Sequence, residues 1–128
     1  MLRSYVAGLP KAELHLHIEG TLEPELAFEL AARNGVGLPF TGVAELRRAQ
    51  EFGDLQSFLD LYYACLAVLR TAEDFHDLAA AYLRRARADG VVRAEVFFDP
   101  QEHTARGVPL AAVVAGLTGA ARAAQRPR

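Results

Sequence analysis

The segment Pro10-Lys11-Ala12-Glu13-Leu14-His15-Leu16-His17-Ile18-Glu19-Gly20 decides the reading of this chain. From Glu13 to Ile18, polar and apolar residues alternate as they do on a strand. Successive strand side chains leave opposite faces, so the pattern predicts Glu13, His15 and His17 on one face. Leu14, Leu16 and Ile18 are then expected on the other. On such a strand the two histidine Cα atoms lie roughly 6.6 Å apart. Both imidazoles can then reach one ion through bonds of about 2.0–2.1 Å. A bare His-x-His is more often a pair of hydrogen-bonded, inert side chains. Here the pair ends an apolar strand and precedes Glu19-Gly20-Thr21. α/β enzymes place their sites at the C-terminal ends of strands, and that position favours a metal site.

Downstream of this strand, Thr21 is expected to cap a helix whose first turn holds Glu23 and Glu25, where carboxylates complement the dipole. Leu26, Leu30 and the alanines at 27, 31 and 32 carry it to Asn34, and Gly35 stops it. Residues 36–42 read as loop and 43–50 as a short polar helix. Leu55, Phe58, Leu59, Tyr62, Tyr63, Leu66 and Leu69 recur at helical spacing between Asp54 and Arg70, predicting a core-facing helix. Its tyrosines read as packing residues rather than as a stacking platform for a base. Thr71 with Asp74 resembles a capping box opening a helix that runs to Asp89. Phe75, Leu78, Ala79, Tyr82 and Leu83 point inward on it, Arg84, Arg85 and Arg87 form a solvated face, and Gly90 ends it. Residues 91–98 read as a second strand. Arg93, Glu95, Phe97 and Asp99 share one face of it; Val92, Ala94, Val96 and Phe98 share the other. Asp99-Pro100 breaks that strand, residues 101–108 read as loop, 108–124 as helix, and 125–128 as a polar, frayed tail.

Composition narrows the functional classes. The 128 residues are 52% hydrophobic and 23% charged, with a formal net charge of −2. That balance is neither basic enough to suggest nucleic acid nor acidic enough to suggest a solvating tail. No apolar run is long enough to span a bilayer, and no cationic, apolar leader opens the chain. We expect a cytoplasmic protein. Cys65, the sole cysteine, cannot form an intrachain disulfide. It lies in an apolar helical run and reads as a small core residue, not a nucleophile. The remaining histidines, His76 and His103, have no ligand-like spacing to the pair.

The order strand, helices, strand, helix implies a parallel pairing. In an open sheet covered on both sides, the polar face of each strand would be buried against helices at high cost. In a closed barrel that face lines the interior, where ionisable groups pair and a metal can sit at the top. We therefore expect an α/β fold, the N-terminal portion of a (β/α)8 TIM-type barrel, here two strands plus several helices. Such barrels run to about 250 residues. Residues 1–128 then form the N-terminal part of a single barrel domain, incomplete at the C-terminus.

The residues from Lys11 to Pro24 resemble the opening motif of the adenosine and adenine deaminase family, metal-dependent barrels of the amidohydrolase superfamily. The resemblance continues through Leu55-Gln56-Ser57-Phe58-Leu59-Asp60-Leu61-Tyr62-Tyr63 and Ala94-Glu95-Val96-Phe97-Phe98-Asp99-Pro100-Gln101. It implies that His15 and His17 are zinc ligands and that a purine is the substrate. It further implies hydrolytic deamination by a zinc-bound water, with a third histidine, an aspartate, a proton-donating glutamate and a catalytic histidine supplied from beyond this chain. The chemistry suits those roles, because the ion lowers the pKa of water and a carboxylic acid supplies a proton. Adenosine-type members typically have Asp where Glu19 stands and Ser-Pro where Asp99-Pro100 stands. Glu19 and Asp99 therefore resemble the adenine deaminase branch, and both are expected to contact substrate. The resemblance implies adenine converted to hypoxanthine, with adenosine to inosine as the alternative. The zinc deaminase class built on Pro-Cys-x-x-Cys is excluded by the single cysteine.

Two further readings stay open on the sequence. One is a non-catalytic binding or remnant domain; the other is a different metallohydrolase of the superfamily, against which residues 97–101 argue. Expected partners are a small purine, with no nucleic acid and no membrane. Two imidazoles fall short of the three protein ligands of a catalytic zinc. Free strand edges and uncovered apolar faces invite self-association. The 128-residue chain is accordingly expected to release no ammonia from adenine or adenosine with zinc present, and to scatter light as an oligomer. Turnover by a monodisperse monomer would overturn that expectation.

Overall fold

In the computed structural model, which describes residues 1–125, helices cover one face of a parallel pair of strands and leave the other open. Helix α1 (Leu2–Gly8) leads into strand β1 (Lys11–His17) and a 3₁₀ turn (Ile18–Thr21). Helices α2 (Pro24–Asn34), α3 (Val43–Ala49), α4 (Leu55–Leu66) and α5 (Ala72–Ala88) follow, then strand β2 (Val91–Phe97). A short helix α6 (Pro100–Thr104) and a long helix α7 (Leu110–Gln125) complete the described chain. The expected tail at 125–128 lies outside the described residues beyond Gln125.

Local chemistry sets these boundaries. Pro24 occupies the first turn of α2, where its missing N–H costs nothing and its fixed φ is already helical. Gly35 closes α2 in the left-handed conformation, φ 63°, which a glycine adopts without a Cβ penalty. Asp54 and Ser57 form a reciprocal capping box at α4, and Thr71 with Asp74 forms another at α5. Gly116 lets α7 touch α5 backbone to backbone. A Cβ there would stand 2.3 Å from the Ala72 carbonyl oxygen, so no larger residue fits without moving a helix.

Several expectations are corrected. Thr21 does not cap α2; its hydroxyl donates to the Ile18 carbonyl within the 3₁₀ turn at 2.7 Å, and Glu23 takes the cap position. Residues 101–108 are not all loop, because Pro100 opens a helix rather than only ending a strand. Helix α1 was not foreseen; its apolar residues, such as Leu2 and Tyr5, are exposed and show no buried stripe. On α4 the inward residues are Leu61 and Leu66, while Leu55, Phe58 and Tyr63 are exposed. Arg85 is not merely solvated, since it donates to the Thr21 carbonyl at 2.8 Å and pairs with Glu23 at 3.0 Å. The inward set on α5 is as expected, with Phe75, Leu78, Ala79 and Tyr82 buried.

Asp74 joins α2 to α5. Its buried carboxylate accepts from the Arg33 guanidinium at 2.5 Å, Asn34 Nδ2 at 2.8 Å, and the Arg70 and Thr71 amides at 2.9 and 2.8 Å. Burial pushes this carboxyl up, but the Arg33 and backbone donors outweigh it and hold it below its ordinary range. A depressed folded-state pKa gives stability that is present above the unfolded value and lost as pH falls through the folded value. Asp74→Asn is therefore expected to cost about 3 kcal/mol near neutral pH, the scale for stripping one partner from a buried pair. The cost should shrink as pH falls below about 4, where the parent itself loses the interaction. Denaturation midpoints of both proteins across pH check this, and a pH-independent difference would sink it.

Candidate active site

The C-terminal ends of the two strands bring the sequence-predicted residues together. His15 and His17 lie side by side with ring centroids 5.2 Å apart. Phe97 of β2 stands against both, at 5.1 Å from His15 and 5.9 Å from His17. All three rings are solvent-accessible on the sheet face away from the helices.

The strand does not alternate as expected. His15 has φ 58°, the one non-glycine residue with positive φ among those described. The register shifts there, so three steps on β1 from Glu13 to Leu16 match two on β2 from Ala94 to Val96. This is a bulge, with one extra residue and a change of side-chain parity. Glu13 therefore joins Leu16 on the helix side, where its carboxylate accepts from the Tyr82 hydroxyl of α5. Leu14 turns outward and is 62% exposed. The expectation that Glu13 shares the histidine face, and Leu14 the face of Leu16, is corrected. On β2, Val91, Ala94 and Phe98 pack on the core. Val92 is 76% exposed, because a second shift places it as an extra residue between Val91 and Arg93. The expected Arg93, Glu95 and Phe97 face is present, with Arg93 and Glu95 paired at 3.2 Å.

Glu19 and Asp99 meet behind this pair. The 3₁₀ turn buries Glu19, and its Oε1 accepts the Asp99 backbone N–H at 2.7 Å. The Asp99 carboxylate accepts from the Tyr62 hydroxyl at 2.8 Å. Burial, then Asp99, raises the Tyr62 hydroxyl far above its ordinary pKa, so it remains a donor. Glu19 Oε2 is buried with no hydrogen-bond partner among the described residues. Glu19, Thr21, Phe58, Tyr62 and Cys65 line a cleft beside this junction. Burial pushes the Cys65 thiol up, away from the reactive thiolate.

His103 was not foreseen as part of this cluster. It is fully buried, and its Nε2 lies 2.9 Å from Glu19 Oε1. The signal was present: a proline is favoured in the first turn of a helix, and His103 falls in the short helix that Pro100 opens. His76 stays on the outside of α5, beside Asp77 at 3.6 Å. No cluster of three or more His, Cys, Asp or Glu side chains able to hold a metal occurs among the described residues.

A family model described as adenosine deaminase matches residues 10–127. The chain belongs to the adenosine deaminase family. It is 67% identical over 119 residues to the adenine deaminase of Streptomyces coelicolor, covering 91% of this chain and 35% of that protein. It is 59% identical over 122 residues to the adenine deaminase of Rhodospirillum rubrum, covering 95% of this chain and 36% of that protein. The crystal structure of adenine deaminase from Arthrobacter aurescens matches with TM-score 0.87 and 59% identity, over 91% of this chain and 36% of that one. An amidohydrolase from Burkhoderia ambifaria, solved with bound Zn, matches with TM-score 0.73 and 30% identity, over 94% of this chain and 34% of that one. The chain thus spans about a third of the length of the curated relatives it matches. Its two strands and their connecting helices have the fold of the N-terminal part of the adenine deaminase barrel.

The left-handed backbone of His15 is a cost borne by the fold, of order 1 kcal/mol for a non-glycine residue. His15→Gly should therefore raise the denaturation free energy of this chain by about 0.5–1 kcal/mol relative to His15→Ala, because glycine adopts positive φ freely. Urea denaturation of both variants reads this directly. A glycine variant less stable than the alanine variant would show that the conformation carries no strain.

Proposed function

We propose that this chain carries part of the active site of a metal-dependent adenine deaminase, converting adenine and water to hypoxanthine and ammonia. The observation that carries this is the exposed His15–His17 pair at the end of β1, 5.2 Å between rings, in a chain whose relatives are named adenine deaminases. Residues 1–128 are read as the N-terminal part of a single barrel domain working in the cytoplasm. No described helix is long and apolar enough to cross a membrane.

The residues present fit a zinc ion in part: two neighbouring imidazoles are ordinary zinc ligands, and the rest of the set lies elsewhere. When bound, the ion supplies the Lewis acidity that makes water a nucleophile at neutral pH. The chain's own groups bind and orient the base. Glu19 and Asp99 supply carboxylate oxygens for N–H groups of the purine, Glu19 from the lining of the cleft and Asp99 beside it, held by the Tyr62 hydroxyl. Adenine carries a ring N–H where adenosine carries ribose. A buried carboxylate oxygen without a partner suits the free base, whereas the nucleoside would leave it unpaired.

Two measurements on the full reading frame of the gene test this. His15→Ala or His17→Ala should lower kcat/KM for adenine about a thousandfold or more, a loss of about 4 kcal/mol of barrel-site catalysis, and should lower zinc content. The parent should favour adenine over adenosine by about 100-fold in kcat/KM, the scale of discrimination by a site that pairs a substrate N–H. Full activity and zinc in both variants would overturn the metal assignment. A preference for adenosine would select the alternative substrate.

A further inference from the structure

Glu19 is held by two donors on one oxygen and by none on the other. The Asp99 amide and His103 Nε2 both meet Oε1, at 2.7 and 2.9 Å, while Oε2 is buried and unpartnered among the described residues. His103 itself is clamped. Its ring stands edge-on to Phe75 with centroids 4.7 Å apart, and its Nδ1 lies 2.8 Å from Arg106 Nη2. Arg106 is fixed in turn, donating to the Leu69 carbonyl at 3.0 Å and the Glu102 carbonyl at 3.2 Å.

The donor inventory assigns the ring proton. A guanidinium has only donors, so the His103 Nδ1 facing it must be the acceptor, and a proton there would oppose two N–H groups. The single ring proton then sits on Nε2 and donates to Glu19. Which imidazole nitrogen acts is set by what the other one bonds.

We infer that His103 is a positioning residue for Glu19: Arg106 fixes its Nε2–H form, and that N–H closes Oε1 so that Oε2 is presented to an N–H donor of the ligand. This rests on the reading of Glu19 as a substrate contact. A neutral donor is the right device for the task. An arginine in direct contact would bind both carboxylate oxygens as a fork and cancel the charge. The imidazole occupies one oxygen, keeps the guanidinium one ring away, and leaves the anion able to accept.

Two substitutions separate this role from simple packing. In His103→Asn the side-chain oxygen can still accept from Arg106, but no donor reaches Glu19. In His103→Gln the amide reaches the Nε2 position and can donate to Glu19. In the full-reading-frame protein, His103→Asn should raise KM for adenine about tenfold or more, the scale of a lost hydrogen bond to a charged group, with kcat within about threefold. His103→Gln should restore KM to within about threefold of the parent, although both variants lose packing against Phe75 and melt at similar temperatures. An unchanged KM in His103→Asn, or equal KM losses in both variants, would overturn the inference. If the parent protein does not deaminate adenine, the proposed function fails separately. The inference is then decided in the full-reading-frame protein by nitrogen–proton correlation spectra of the His103 ring. A protonated Nε2 with a bare Nδ1 supports it, and the opposite tautomer overturns it.

Discussion

The backbone turn at His15 is the constraint on which the site depends. A regular strand would put Glu13 on the same face as both histidines, and an anionic carboxylate would stand beside them. The left-handed residue inserts one extra step, and Glu13 passes to the other side, where Tyr82 satisfies it. The same step leaves Leu16 against the core and the two imidazoles on the open face. One strained residue thus sorts the strand into a packing half and a chemical half. Its cost is offset by a part-buried hydrogen bond on one side and a ring cluster on the other.

The second organising element ties the two strand ends together. Lateral pairing of β1 with β2 ends at His17 and Phe97. Beyond that point the backbones diverge into a 3₁₀ turn and into α6. Glu19 bridges them through the Asp99 amide, and Tyr62 of α4 holds the Asp99 side chain. Three elements far apart in sequence therefore share one hydrogen-bonded junction. Because every member but one is satisfied, the junction is stiff. Glu19 Oε2, which has no partner among the described residues, is the position a ligand completes.

Much of this was legible in the residues and some was not. The apolar alternation around His15 and His17 announced a strand end, and Thr71 with Asp74 announced the start of α5, because both signals are local. The helix-period pattern of α5 named its buried residues, since a single long helix against the core has one possible inward stripe. The pattern on α4 misled because the helix stands at the edge of the described chain, and periodicity does not say which flank is covered. Leu55 and Phe58 lie on the open flank, whereas Leu61 faces in. The bulge was invisible, since histidine tolerates positive φ but does not announce it. His103 is hidden in the sequence because Asp99-Pro100 signals a break after β2. A proline that ends one element can open the next, and the resulting turn of helix carries His103 under Glu19.

The burial of Glu19 also settles a competition inside the motif. It lies two residues after His17, close enough in sequence that a free carboxylate could act as an oxygen ligand to any ion held by the pair. An added anionic ligand would take a coordination position and reduce the Lewis acidity that such an ion offers. Two N–H groups on Oε1, a buried side chain and the turn of the 3₁₀ segment hold that carboxylate away from the open face. Bulge and buried turn thus act in the same sense from opposite sides of the histidine pair. The bulge moves Glu13 out, the turn moves Glu19 in, and the imidazoles are left with the Phe97 ring against them, stacked on His17 and tilted to His15. With Glu13 and Glu19 withdrawn and Glu95 of β2 paired with Arg93, the imidazoles can bind an ion while further ligands come from other strands.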